Sequence, residues 1–128
     1  MNKKSGEGAD ELAKKYIRLM AEYCCDCLWG EDGAVNQEHF PLRLETRKRL
    51  LAWAEIYHTS LNWQDPLATE PWSQEKIKAF EEEGRALWAQ LRHELGGEYE
   101  VTYFSEMYHR EFRDLDELLH LDKEAHPS

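Results

Sequence analysis

The sequence predicts a helix-dominated α+β domain in which three to four helices surround one core, with a small two- or three-stranded sheet. Three observations favour this fold class. The length of 128 residues suits a single domain. Only 7 Gly and 4 Pro are present, which favours helices over a turn-rich β fold. Five Trp and a hydrophobic content of 41% supply enough apolar surface for a core despite the charge.

A first helix is predicted to begin near Asp10, after a disordered tail at residues 1–9. Asp10 and Glu11 suit the N-terminal end of a helix, where the helix dipole favours negative charge. Apolar residues then recur mostly at spacings of three and four, which indicates one buried stripe. The stripe consists of Leu12, Tyr16, Leu19, Met20, Tyr23 and Cys27.

Residues 28–33 interrupt this helical pattern. Gly30 and Gly33 flank Glu31 and Asp32, a combination that is typical of a tight turn. A loop continues from the turn to Pro41. A short extended segment, such as a β-strand, is also possible on either side of the turn.

A second helix is predicted at residues 45–61. Its buried stripe comprises Leu50, Leu51, Trp53, Ala54, Tyr57 and Leu61. The only dense basic patch of the chain lies at its start and contains Arg43, Arg47, Lys48 and Arg49. Because cations oppose the dipole at a helix N-terminus, we expect these side chains to pair with acids elsewhere in the fold.

The most strongly periodic helix follows Ser73, a favourable N-cap residue, and ends at Leu95 before Gly96 and Gly97. Trp72 and Ile77 occupy the positions of a hydrophobic staple. Gly84 lies on the apolar stripe, where Ala would favour the helix by about 1 kcal/mol. The close approach of another backbone is therefore expected at Gly84.

Alternating apolar and polar residues predict a strand at residues 99–104. Since a lone strand is not stable, it needs a partner, which we expect in the loop around residues 28–35. A last helix is predicted at residues 106–122, and residues 123–128 are expected to be unstructured. The predicted globular domain therefore spans residues 10–122.

The negative charge of the chain is concentrated in its second half. The net charge is −2 for residues 1–69 and −8 for residues 70–128. Such a surface repels nucleic acid and anionic membranes and attracts basic partners. No signal peptide and no membrane-spanning stretch are recognised, and three closely spaced Cys do not form a disulfide framework, so the cytoplasm is the expected location.

No catalytic or metal-binding motif accompanies this charge. Cys24, Cys25 and Cys27, even with His39, lack the repeated pair spacing of structural zinc sites, and buried or half-buried thiols are expected. Glu98 and Glu100 share one face of the predicted strand, but acids on an open strand are usually solvated. We therefore predict no cofactor, no metal and no catalytic residue. A small enzyme that uses the Cys cluster or the paired carboxylates is one alternative.

The order of the local signatures resembles that of a bacterial protein family. The resemblance covers about residues 16–104 and concerns structural motifs, so it transfers no catalytic residue. The motifs that carry the resemblance are Leu28-Trp29, Asp32-Gly33, Pro41-Leu42, Leu50 to Trp53, Tyr57, Asn62-Trp63-Gln64-Asp65-Pro66, Glu83-Gly84-Arg85-Ala86-Leu87, Glu94-Leu95-Gly96 and Val101-Thr102-Tyr103-Phe104. With these motifs the sequence is similar to small acidic immunity proteins of contact-dependent inhibition and other polymorphic toxin systems.

The resemblance implies a protein that binds and neutralises a cognate toxin domain. An acidic inhibitor suits a basic nuclease, whose active site holds phosphates, because it can block that site electrostatically. The predicted partner-binding residues are Trp29, Glu31, Asp32, Trp63, Asp65, Glu98 and Glu100. The second choices are Glu81, Glu82, Asp114, Asp116 and Glu117.

Two other interpretations stay open at this point. The chain can be an acidic regulatory or scaffold protein that binds a basic partner other than a toxin. The acidic face can also serve solubility alone. Similarly, Trp29 and Trp63 suit interface anchors and core plugs about equally well. The oligomeric state does not follow from the sequence.

Overall fold

The structure, a computed structural model, describes residues 15–22, 27–61 and 64–125. Within these ranges five strands form one sheet and three α-helices accompany it. The strands are β1 (Lys15–Leu19), β2 (Leu28–Gly30), β3 (Gly33–Ala34), β4 (Tyr99–Ser105) and β5 (Arg110–Phe112). The helices are α1 (Leu44–His58), α2 (Gln74–Leu95) and α3 (Leu115–Ala125). Short 3-10 turns lie at Gln37–His39 and Pro66–Ala68.

The sheet is larger than the two or three strands predicted, although the α+β class is correct. The strand order is β3-β2-β1-β4-β5. Strands β1 and β4 are parallel, and the other neighbours are antiparallel. The predicted pairing of β4 with residues 28–35 is wrong, because β1 lies between them.

The helix predicted to begin near Asp10 is wrong at residues 15–19, which form the central strand β1. Ile17 and Leu19 are buried on one face of the sheet and alternate with Tyr16 and Arg18 on the other. The backbone of β1 pairs with β2 on one edge and with β4 on the other. This pairing satisfies the hydrogen-bonding groups that a helix would have satisfied internally. Residues 20–22 and Cys27, which the predicted helix also included, are not helical either. Residues 10–14 and 23–26 of that prediction, and the tail at residues 1–9, lie outside the described residues.

The predicted turn at residues 28–33 is confirmed as a β-hairpin. Gly30 pairs with Gly33 across a two-residue loop formed by Glu31 and Asp32. Gly33 has a φ of 124°, which side chains other than hydrogen rarely allow. The turn chemistry therefore explains where β2 ends and β3 begins.

Helices α1 and α2 lie where they were predicted, within a few residues at their ends. Ser73 caps α2, because its Oγ accepts a hydrogen bond from the backbone N of Lys76 at 3.1 Å. A Cβ on Gly84 would lie 2.5 Å from the Tyr103 hydroxyl and 2.9 Å from a ring atom of Trp53. The expectation that another backbone approaches Gly84 is therefore wrong, because the close neighbours are the side chains of Tyr103 and Trp53.

The helix predicted at residues 106–122 is wrong in its first half. A turn and strand β5 precede α3, which begins after Asp114 and continues to Ala125. Asp114 caps α3 by accepting a hydrogen bond from the backbone N of Glu117 at 2.9 Å. Phe112 and Leu118 are fully buried. This segment therefore packs on the core of its own chain.

The two faces of the sheet differ in polarity. The face toward α1 and α2 is apolar and includes Leu19, Leu28, Val101, Tyr103 and Phe112. The opposite face presents Tyr16, Arg18, Trp29, Thr102 and Glu111. Among the described residues, no helix is long and apolar enough to cross a membrane.

Candidate functional site

Strand register brings four of the predicted partner-binding acids to one end of the sheet. Strands β1 and β4 start together, with Lys15 opposite Tyr99, and the β2–β3 loop returns to the same end. Neighbouring strands are about 4.8 Å apart, so β2 and β4 are separated by about 10 Å. We call this region the sheet-end surface and define it by Glu31, Asp32, Glu98 and Glu100.

Three of the four sheet-end acids carry charge that the fold does not neutralise. Glu31, Asp32 and Glu98 are exposed, and none of them forms an ion pair with another described residue. Glu100 pairs with Arg113 at 3.1 Å, where both side chains are largely exposed. An exposed pair of this kind is weak. The sheet-end surface can therefore present carboxylates to a basic partner.

A hollow of about 600 Å³ adjoins this surface between the end of α2 and the start of β4. Arg92, Arg113 and Glu100 are among the residues that line it. Lys15 is also exposed nearby, and its Nζ lies 5.9 Å from the centre of the Tyr99 ring. Cations therefore lie beside the acids, and the surface is not uniformly negative.

The remaining predicted contact residues do not join this surface in one group. Trp29 is half-buried on the polar face of the sheet, and its Nε1 donates a hydrogen bond to the Met20 carbonyl at 2.9 Å. Asp65 is exposed in the connection between α1 and α2, at the far end of α2 from Glu98. Helix α2 is about 33 Å long by its rise. Trp63 lies outside the described residues.

Sequence reasoning missed a second polar cluster at the other end of β4. Glu81 is only 2% exposed, and its carboxylate accepts hydrogen bonds from Tyr103 at 2.8 Å and Ser105 at 2.9 Å. Arg85 donates to Glu81 at 3.0 Å and to both carboxylate oxygens of Asp122 at 2.8 and 3.2 Å. Glu81 is therefore a structural residue and not the exposed contact proposed for it as a second choice.

One local signal pointed to part of this cluster. Glu81 and Arg85 are four residues apart on a helix, which places their side chains together. Asp122 also accepts a hydrogen bond from the Tyr108 hydroxyl. Burial and this hydrogen bond raise the pKa of Tyr108 to about 12. The cluster thus attaches α3 to α2.

Glu106 is the most perturbed carboxylate of this region. It follows Ser105 at the end of β4, and Glu22 lies beyond the parallel end of β1. Burial raises the pKa of Glu106 to about 7, and the charges of Glu22 and Glu81 contribute in the same direction. Glu106 therefore changes charge near neutral pH.

A third cluster lies on the polar face of the sheet around Glu111. This carboxylate accepts hydrogen bonds from the hydroxyl groups of Tyr16 and Thr102 and lies 3.7 Å from Arg18. Burial alone would raise the pKa of Glu111, but the hydrogen bonds and Arg18 outweigh it and lower the pKa. Glu111 is therefore held ionised and connects β1, β4 and β5.

The basic patch at the start of α1 is only partly paired as predicted: Arg49 pairs with an acid, whereas Arg47 donates to the Phe40 carbonyl at 3.0 Å and Lys48 is exposed. Arg49 forms two hydrogen bonds of 3.1 Å with the carboxylate of Glu83. The backbone N of Arg43 donates to Glu94 at 2.8 Å, and the Thr46 hydroxyl donates to the same carboxylate. Two acids of α2 are thus engaged by α1 and are less accessible to a partner.

The cysteine cluster is only partly described. Cys27 is buried, and its thiol donates to the Leu50 carbonyl at 3.7 Å. Cys24 and Cys25 lie outside the described residues. In residues 15–22, 27–61 and 64–125, no three His, Cys, Asp or Glu side chains are grouped so that they could hold a metal ion.

The described residues thus form an α+β domain with exposed carboxylates at one end of its sheet. Residues 15–106 match the family described as Serratia CdiI immunity protein-like. The match covers well over half of the chain, so the chain belongs to this family of immunity proteins. This confirms the recognition made from the sequence. No curated protein matches the chain.

Family membership defines the general role. Immunity proteins act by binding and neutralising a cognate toxin protein, and they are not enzymes. The expectation that this chain is not an enzyme is therefore confirmed by its family. The matched residues contain all of the sheet-end acids but end before β5 and α3.

Proposed function

We propose that the chain neutralises a basic nuclease toxin in the cytoplasm by placing the sheet-end surface over its active site. The observation that supports this most is the convergence of Glu31, Asp32, Glu98 and Glu100 at one end of the sheet. A nuclease must hold phosphates, so its active site is basic. Fixed carboxylates can occupy that site and exclude the substrate.

The rigidity of the frame favours this mechanism over a diffuse attraction. Glu98 is tied to the fold through its backbone, because its N donates to Leu95 and its carbonyl accepts from Lys15. Glu31 and Asp32 are held in a two-residue hairpin loop. The backbone that carries these carboxylates therefore loses little freedom on binding, and electrostatic attraction raises the association rate.

The test uses the C-terminal domain encoded by the open reading frame upstream of this gene. Binding is measured by calorimetry, and inhibition by digestion of DNA and RNA. We expect the double variant Glu31→Lys/Glu98→Lys to lose at least 100-fold in affinity and to stop protecting the nucleic acid. The matched control Glu55→Lys/Glu70→Lys changes the net charge equally, at exposed positions away from the sheet-end surface.

Equal losses of affinity in the two double variants would show that only net charge matters. They would refute the sheet-end surface as the toxin-binding site. A toxin domain that binds but cleaves no nucleic acid would refute the nuclease part. If that domain does not bind at all, and a basic host protein co-purifies instead, the regulatory or scaffold alternative is correct.

A further inference from the structure

A cleft of about 690 Å³ lies at the opposite end of the molecule from the sheet-end surface. It is bordered by the first half of α2, the turn after β4 and helix α3. Strand β4 separates the two regions by about 20 Å, given its seven residues. The residues that line the cleft are Gln74, Ile77, Lys78, Glu81, Glu82, Arg85, Met107, Tyr108 and Asp122.

The floor of this cleft is an ion network. Arg85 donates through all three of its nitrogen atoms, to Glu81 and to Asp122. Three of the five N–H donors of its guanidinium are therefore engaged within the fold, and the two carboxylates outnumber this one cation. Because both carboxylates are fixed by the same side chain, the floor is preformed for a partner.

The walls and the rim have a different chemistry. Ile77, Met107 and Tyr108 are half-buried and give the cleft an apolar lining. Glu82 and Lys78 are exposed at the rim, one helical turn apart. Apolar walls beneath a carboxylate suit the long aliphatic stem and charged end of a basic side chain.

The family match places the cleft partly outside the shared portion of the chain. The match ends at residue 106, whereas Met107, Tyr108 and Asp122 follow it. Residues 107–128 carry a net charge of −3, with three Lys or Arg and six Asp or Glu. Residues 107–128 thus add one wall of the cleft, and further negative charge, beside helix α2, which lies within the family match.

We propose that this cleft is a second contact for the toxin domain and binds one of its lysine or arginine side chains. This inference rests on the proposed function. A standard interface of about 800 Å² per partner is roughly 30 Å across, so one toxin domain can reach both regions. The sheet-end surface then attracts and blocks the toxin, and the cleft selects the cognate one.

The test reverses the two rim charges separately and measures affinity for the upstream-encoded toxin domain. We expect Glu82→Lys to weaken binding at least 10-fold, because it places a cation where the basic side chain ends. Lys78→Glu should tighten binding about 3-fold or more, because it removes a competing cation. An anionic occupant would give both effects with the opposite sign.

Matched controls on α1 separate the cleft from net charge. Glu55→Lys and Lys48→Glu make the same charge changes at exposed positions outside the cleft. They should change the affinity by less than 3-fold. All four positions are exposed, so unchanged circular dichroism spectra and unfolding midpoints are expected and verify folding.

The outcomes distinguish this inference from the proposed function. If Glu31→Lys/Glu98→Lys abolishes binding while Glu82→Lys has the same affinity as Glu55→Lys, the cleft is not a toxin contact and the proposed function stands. If wild-type protein does not bind the toxin domain, both fail. If Glu82→Lys weakens and Lys78→Glu strengthens binding beyond their controls, the cleft is the second contact.

Discussion

The two ends of strand β4 place carboxylates in opposite surroundings. At its start, Glu98 is exposed and Glu100 shares one solvent-exposed ion pair with Arg113. At its end, Tyr103 and Ser105 donate hydrogen bonds to the buried Glu81. The comparison teaches that a net charge of −10 does not describe one kind of surface. Carboxylates at one end are available to a partner, and those at the other end hold the fold together.

The difference follows from the number of donors that meet each carboxylate. Glu81 receives two hydroxyl groups and one guanidinium, and breaking such a buried set leaves uncompensated polar groups. Water screens the pair of Glu100 and Arg113 and competes for its hydrogen bonds. Substitutions at the buried end should therefore change stability, and those at the exposed end should change mainly binding.

The largest effect is expected for Glu81→Ala. It leaves Tyr103 and Ser105 without their acceptor and removes one partner of Arg85, so the free energy of unfolding should fall by about 3 kcal/mol. Urea unfolding followed by circular dichroism measures this. The control Glu83→Ala breaks the more exposed pair with Arg49 and should cost less than about 1 kcal/mol. Similar losses for the two variants would contradict the comparison.

The next effect concerns the packing behind the buried carboxylate. Gly84→Ala improves helix propensity by about 1 kcal/mol, but its Cβ would collide with Tyr103 and Trp53. We expect a net loss of about 1–2 kcal/mol in the free energy of unfolding. At Gly97 no atom lies within 4 Å of an added Cβ. Gly97→Ala should therefore be nearly neutral, and a stabilised Gly84→Ala would show that Tyr103 can move aside.

A pH-dependent effect is expected at Glu106. Because burial and nearby acids raise its pKa to about 7 in the folded state, the folded protein holds a proton that the unfolded chain has released. The free energy of unfolding should therefore fall as the pH rises from about 4.5 through 7. Glu106→Gln stays neutral, so its free energy of unfolding should exceed that of the wild type by about 1 kcal/mol at pH 8, after allowance for solvent screening, and equal it at about pH 4. The same difference in the free energy of unfolding at both pH values would show that the titration of Glu106 does not cause it.

The smallest effect on stability is expected for Glu100→Gln at the exposed end. Since 71% of the Arg113 side chain and 43% of the Glu100 side chain are exposed, losing their pair should change the free energy of unfolding by less than about 0.5 kcal/mol. Affinity for the toxin domain should nevertheless fall several-fold. A destabilisation of 2 kcal/mol or more would mean that this end also holds the fold together.

The features that the sequence predicted correctly depend on neighbouring residues. Ser73 caps α2 within one helical turn, and Gly33 permits the hairpin because its φ is positive. The family resemblance over residues 16–104 was also recognised and is confirmed by the match over residues 15–106. The cap, the turn and each motif of the resemblance span only a few positions and therefore can be recognised in a single sequence.

The features that were missed depend on distant partners. β1 has apolar residues that also fit a helical stripe, and its pairing with β4 decides its conformation. Similarly, β5 exists because Phe112 pairs opposite Tyr103. The donors to Glu81 lie 22 and 24 residues away, and Asp122 lies 37 residues beyond Arg85. No local pattern specifies these encounters, so a buried acid was interpreted as a surface one.

The parallel pairing of β1 with β4 has a consequence for the newly synthesised chain. Lys15 leaves the ribosome long before Tyr99, its partner in the ladder. At about 5–20 residues per second, roughly 4 to 17 s separate the two. During that interval one edge of β1 has no partner from its own sheet and can pair with other chains. The sheet therefore cannot be complete until β4 has been synthesised, and chaperones that shield this edge of β1 should raise the yield of folded protein.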